Sequence, residues 1–112
     1  MIVSILGHGI VGKGVWDMLQ GRSEFTVRNV LVKKGEKTEP FMTESFDDVE
    51  KDDSELVIEC MGGVDPAFDF ASRSIRAGKS FISSKQPVEL RRRCRDFHWY
   101  SVCSQYFQMV FC

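Results

Sequence analysis

Six residues near the start of the chain, Gly7-His8-Gly9-Ile10-Val11-Gly12, have the types and spacing for phosphate chemistry. The first glycine permits a tight turn. The second lets backbone approach a pyrophosphate where a Cβ would otherwise stand, and the third lets a helix pack closely on the preceding strand. The pattern carries weight only between a strand and a helix, and both are expected here. Met1–Leu6 is a short Ile/Val-rich apolar run that reads as a buried strand. Val11, Val15, Met18 and Leu19 then recur at helical spacing up to Gly21, the expected C-cap. The helix N-terminus would add free N–H groups and partial positive charge, both directed at phosphate. A glycine-rich turn that binds nothing is the plainer alternative, and the agreement of strand, spacing and helix argues against it.

Other residues bear on what such a turn would hold. The end of the second strand commonly reads the adenosine ribose, where an acidic side chain favours NAD. This chain places Lys33-Lys34 there, with Glu36 the first acidic residue after them. Two ammonium groups attract a 2′-phosphate and favour NADP. A solvated basic loop is the alternative, and use of NAD or of both forms stays open. Glu59 is expected to face the crevice or to be solvated, and His8 to point outward. Cys60 reads as buried filler rather than a nucleophile. Asp65 before Pro66 reads as a helix cap with proline at the first helical position.

The elements that must position these residues follow from punctuation and periodicity. Phe25–Val32 is a second strand, and 33–43, with Gly35 and Pro40, a polar loop. Ser45 is expected to cap a short helix through Glu50. Glu55–Met61 is a third strand ending at Gly62-Gly63. A helix carrying Phe68, Ala71 and Ile75 ends near Gly78, and Ser80–Ser83 is a fourth strand. The order β-α-β-(α)-β-α-β implies an α/β fold, a partial Rossmann-like doubly wound parallel sheet with right-handed crossovers. Its open side is where later strands would add.

Composition bounds the reading. With 112 residues, 43% hydrophobic and 28% charged, the chain matches a single globular domain. A net charge of −1 shows no bias towards nucleic acid or anionic membrane. No apolar run approaches the roughly 20 residues that span a bilayer. The first ten residues lack the basic segment of a signal peptide. Four cysteines without a CxxC pair suit neither a zinc site nor a disulfide scaffold, and a cytoplasmic location is the expectation.

The averages hide a seam. Residues 1–88 are net −3 and contain all nine glycines. Residues 89–112 are net +2, with Arg91-Arg92-Arg93-Cys94-Arg95 and no Gly, Ala or Lys. Twenty-four residues are too few for an independent core. Residues 1–88 are therefore expected to be an incomplete NAD(P)-binding domain, and 89–112 an atypical tail, disordered or aberrant, with a second module the alternative. Cys94, Cys103 and Cys112, nine apart, match no metal-ligand spacing.

Residues 2–15 (IVSILGHGIVGKGV) and 55–79 (ELVIECMGGVDPAFDFASRSIRAGK) together resemble the N-terminal part of homoserine dehydrogenase. The resemblance covers 1–88, a fraction of that family's usual length. It implies an NAD(P)-dependent oxidoreductase that interconverts L-homoserine and L-aspartate 4-semialdehyde in threonine, methionine and isoleucine biosynthesis, a homo-oligomer at full length. It implies further that Gly7, Gly9, Ile10, Val11 and Gly12 hold the pyrophosphate, and that Met61, Gly62 and Gly63 line the nicotinamide side. Where the family has Thr-Ala-Asn-Lys, this chain has Ser83-Ser84-Lys85-Gln86. Asn is absent, and either Lys85 or, without a gap, Gln86 takes the lysine position. Lys85 is the preferred match, with Ser83 beside the cofactor, and a lysine there can supply the proton that an aldehyde oxygen needs. An exposed loop lysine is the alternative. The family's substrate domain has no counterpart after Val88, so the chain alone is expected to be inactive. Another dehydrogenase of the same fold, a non-catalytic NAD(P)-sensing module, and a misfolded remnant are the competing readings.

Overall fold

Alternation along β1 (Ile2–Leu6) divides the core into two layers. Val3 and Ile5 join Val15, Val30, Val32, Met42 and Ile58 on one face. Leu6 joins Leu31, Phe46, Val49, Val57, Ala71 and Phe81 on the other. Two apolar faces on one short strand require cover on both sides, which is what a parallel sheet between helices supplies. The structure is a computed structural model and describes residues 1–61, 65–83, 100–103 and 108–111.

After β1 come α1 (Ile10–Gln20), β2 (Thr26–Leu31), β3 (Met42–Thr43), α2 (Phe46–Lys51), β4 (Leu56–Glu59), α3 (Asp65–Arg76), β5 (Ser80–Ser83), β6 (Tyr100–Cys103) and β7 (Gln108–Phe111). The sheet order is β3-β2-β1-β4-β5-β7-β6. The first five strands of that order pair in parallel, whereas β7 joins β5 and β6 joins β7 antiparallel. Helix α1 covers the Val3/Ile5 face through Val15, with Trp16 and Leu19 packed beside it. Helices α2 and α3 cover the opposite face through Phe46, Val49 and Ala71. Phe81 is fully buried there, and burial of such a ring contributes roughly 2–3 kcal/mol. The fold is an α/β, Rossmann-like doubly wound sheet, and the order in which strands are added reverses between the parallel neighbours β1 and β4, the switch point at which this architecture places ligands.

Local chemistry modifies the expected elements. The end of the 33–43 loop forms the edge strand β3, because the Val30 and Val32 N–H groups donate to Phe41 and Thr43 carbonyls at 2.9 and 2.8 Å. Two residues are too few to register as periodicity. Ser45 occupies the N-cap of α2 but makes no side-chain cap. Thr43 instead ties the incoming chain to the first turn, its hydroxyl accepting the Ser45 N–H at 3.2 Å and donating to Asp48 Oδ2 at 2.5 Å. Gly21 follows α1 in right-handed conformation, with φ −79°. Helix α3 ends as expected: Gly78 and Lys79 donate to the carbonyls of Ile75 and Ser74, both at 3.0 Å, and Gly78 has φ +83°, a Schellman stop. Arg73 then ties α3 to α2, reaching Asp47 at 2.5 Å and Glu50 at 2.8 Å and lying 4.7 Å over the Phe46 ring.

At the amino ends of the strands a buried ion pair, unanticipated from the sequence, joins Lys79 Nζ to Asp52 Oδ1 at 2.9 Å. Lys79 also donates to the Ser54 carbonyl at 2.8 Å, while Ser4 and Asn29 each donate to Asp52 Oδ2 at 2.7 Å. Ser54 adds its N–H and hydroxyl to Asp52 Oδ1. Burial alone would raise the Asp52 carboxyl. The hydrogen bonds from Ser54, Ser4, Asn29 and Lys79 outweigh it and lower the pKa to about 2.

Candidate functional site

The glycine turn sits where β1 hands over to α1, at the carboxyl end of the sheet. Gly7 has φ +99°, a conformation L side chains avoid, and its N–H donates to the Leu31 carbonyl at 2.8 Å. At Gly12 a Cβ would fall 2.1 Å from the Gly7 carbonyl oxygen. Helix and turn are in backbone contact there, and any side chain would force them apart. Gly9 differs: a Cβ would meet nothing within 4 Å, and φ is −78°. The chain's own packing makes no demand for glycine at position 9. What the missing Cβ leaves is clear space directly before the first turn of α1.

That space opens into a cleft of about 750 Å³. Its floor and walls come from the turn (Gly7, His8, Gly9), the end of β2 with Lys33 and Lys34, and Cys60 and Met61 after β4. Phe70 of α3 and Phe46 of α2 close one side as a stacked pair, ring centroids 4.3 Å apart. The size suits an extended small molecule. Its polar complement is bare backbone, two exposed lysines and the carboxylates of Glu36 and Glu44.

The residues singled out from sequence separate into groups. Gly7, Gly9, Lys33, Lys34 and Met61 all line the cleft. Ile10 and Val11 lie at the start of α1 with their side chains 96% and 52% exposed, so only their backbone is turned to structural use. Gly12 is buried beneath the turn. Ser83 is fully buried and donates to Glu59 Oε2 at 2.6 Å, away from the residues that line the cleft. Gly62, Gly63 and Lys85 lie outside the described residues, as does Gln86.

Three expectations are corrected. Glu59 is neither solvated nor in the crevice but fully buried; its Oε1 accepts the Met61 N–H at 2.7 Å while Oε2 accepts the Ser83 hydroxyl. Position 59 pairs with 83 in register across β4 and β5, so both side chains fall on the same face and meet. The carboxylate thus ties the cleft-lining Met61 to the sheet. His8 is not turned to solvent. It is half-buried, with its ring edge-on to Trp16 and Phe41 at 6.3 and 6.2 Å, and its Nδ1 has no hydrogen-bond partner. Trp16 and Phe41 stack at 5.0 Å and draw the imidazole down. Cys60 is not core filler, since it is half-buried and lines the cleft, but it suits no nucleophile: burial first, and the Glu59 charge second, push its thiol up to about 11, so it stays protonated at neutral pH. Among the described residues no cluster of three or more His, Cys, Asp or Glu is arranged to hold a metal, and no helix is long and apolar enough to cross a membrane.

No family model matches the chain. A homoserine dehydrogenase of Bacillus subtilis (strain 168) is 29% identical over 102 residues, covering 77% of this chain and 24% of the relative. The S. aureus homoserine dehydrogenase crystal structure superposes with a TM-score of 0.71 at 22% identity, covering 84% of this chain and 29% of that one. The homoserine dehydrogenase from Thiobacillus denitrificans gives 0.66 at 26% identity, covering 76% and 23%. A biliverdin reductase from Synechocystis sp. PCC 6803, solved in complex with biliverdin and NADP+, shares the fold at a TM-score of 0.68 and 15% identity. By sequence and by structure, then, the chain is similar to the N-terminal part of homoserine dehydrogenase, and it spans about a quarter of the length of the relatives it matches.

Proposed function

We propose that this chain is the nicotinamide-dinucleotide-binding part of a homoserine dehydrogenase, and that the cleft at the β1/β4 switch point holds NADP or NAD. The observation that carries this reading is Gly9. Packing explains the glycines at 7 and 12, whereas at 9 the space a Cβ would fill is empty and faces the cleft. A ligand lying against backbone is the physical use for such space. In this reading the amides of 9–12 take the pyrophosphate at the N-terminus of α1. The apolar wall of Met61, Phe46 and Phe70 takes a planar base, and Lys33 and Lys34 take the ribose end, with preference for the 2′-phosphorylated form.

Bound nicotinamide would supply a hydride acceptor or donor. In the full-length enzyme the hydride would pass to the aldehyde carbon of L-aspartate 4-semialdehyde as a proton reached its oxygen, giving L-homoserine, and the reverse direction would return both. Lys85 is proposed for that proton and Gly62-Gly63 for the nicotinamide side, while Ser83, buried against Glu59, would bear on the site only through the carboxylate that holds Met61. The substrate-binding part, and homo-oligomer contacts, belong to the remaining three quarters of such an enzyme. The chain by itself should bind nucleotide with little turnover.

Titration of the full chain with NADPH and with NADH, followed by nicotinamide fluorescence and by thermal melting, tests the reading. Micromolar binding, as an order of magnitude, is the expected result, tighter for NADPH. Binding of neither nucleotide by folded protein would overturn it.

A further inference from the structure

The two lysines at the ribose end stand on a turn whose shape is held from outside. Lys33 opens a four-residue turn: its carbonyl accepts the Glu36 N–H at 3.0 Å, and Gly35 at the third position has φ +86°, as a type II turn requires. The base of this turn is fixed to the sheet, since Val32 donates to the Thr43 carbonyl at 2.8 Å. Its tip is fixed by the next residue along. Glu44, directly after β3, accepts the Gly35 N–H on both carboxylate oxygens, at 3.1 and 3.3 Å. Lys33, Lys34, Glu36 and Glu44 all line the same cleft. The acidic charge of Glu44 is therefore engaged with the turn that presents the lysines.

We propose that Glu44 is a specificity-positioning residue: by clamping the Gly35 amide it holds the Lys33-Lys34 turn in the cleft and so sets the preference for a 2′-phosphorylated over an unphosphorylated dinucleotide. The proposal rests on the reading of the cleft as a nucleotide site. Its physical basis is preorganisation. Two flexible ammonium groups that must be ordered on binding lose part of their attraction to the entropy of ordering, and a turn already tethered at base and tip loses less. The same carboxylate also places negative charge near the phosphate, so reach and charge act in opposite directions and can be separated.

Three substitutions separate them. Glu44→Asp keeps the charge but is one methylene short of Gly35, Glu44→Gln keeps the acceptor without the charge, and Glu44→Ala removes both. Dissociation constants for NADPH and NADH are measured on the full chain by fluorescence titration, with circular dichroism confirming the fold. The ratio of NADPH to NADH affinity is expected to fall about tenfold in Glu44→Ala and Glu44→Asp. In Glu44→Gln it should stay within about twofold of wild type or rise, as removal of a nearby like charge predicts. Hydrogen exchange at the Gly35 amide provides a readout free of ligand, faster in the Ala and Asp variants and protected in Gln. An unchanged or raised ratio in Glu44→Ala, or equal exchange at Gly35 in all variants, overturns the proposal while leaving the cleft reading intact. Wild-type protein that binds neither nucleotide overturns both.

Discussion

At the amino ends of the strands, Asp52 has both carboxylate oxygens engaged by internal partners, Ser4, Asn29, Ser54 and Lys79. At the carboxyl ends of the same strands, the turn at 7–12 leaves backbone amides beside open space, and two lysines stand exposed at the rim. Both ends also carry a cavity, since about 660 Å³ of open groove lies beside Asp52 and Lys79. The difference teaches how to tell scaffold from site. A charged cluster whose partners are all internal holds the fold, whereas unused donors beside unfilled space are what a ligand requires. Glu59 belongs with the scaffold despite its address near the cleft, because its two oxygens brace Met61 and Ser83.

The sharpest way to break that contrast is to damage one end and measure both. Lys79→Met leaves the Asp52 carboxylate buried without its cation and is expected to cost about 3 kcal/mol in urea unfolding. Nucleotide affinity of the folded fraction should stay within about twofold, and a large loss of binding would show that the two ends are coupled. Acid probes the same knot. The Asp52 carboxyl sits at about 2 when folded against an ordinary 3.8, so its contribution is fully present above about pH 4 and fades as pH falls towards 2. The shift corresponds to about 2 kcal/mol, and Asp52→Asn should flatten that part of the stability profile. At the other end, Gly12→Ala drives a Cβ into the Gly7 carbonyl and should cost about 1–3 kcal/mol together with nucleotide binding. Gly9→Ala sharpens the comparison. Stability should change by less than about 1 kcal/mol, while NADPH binding weakens tenfold or more, and equal binding by that variant would remove the ligand as the reason for the glycine.

Much of this was legible along the chain. The glycine turn between an apolar run and a 3.6-period helix, the β2 strand leading to Lys33-Lys34, and the Ala77-Gly78 stop of α3 are local patterns, each set by residues a few positions apart. The Asp52–Lys79 pair was not legible, because its partners Ser4, Asn29, Asp52, Ser54 and Lys79 are spread over 75 positions and meet only when β1, β2, β4 and β5 assemble. Glu59 and His8 misled for the same reason. A carboxylate and an imidazole look solvated in sequence until cross-strand register brings Ser83 to one, and the packing of α1 against the segment before β3 brings the stacked Trp16–Phe41 pair to the other.

Sequence alone determined the alternation of the main elements, the parallel run of β1, β2, β4 and β5 and the position of the turn, but not β3 or the antiparallel β6 and β7, since backbone conformation and hydrophobic period act over short spans. Tertiary structure alone decided which glycine is bound by packing and which is open, which acids are internal, and that Glu44 grips the turn carrying the lysines. Those properties depend on what lies across a gap of a few ångströms, and distance through space is not written in distance along the chain.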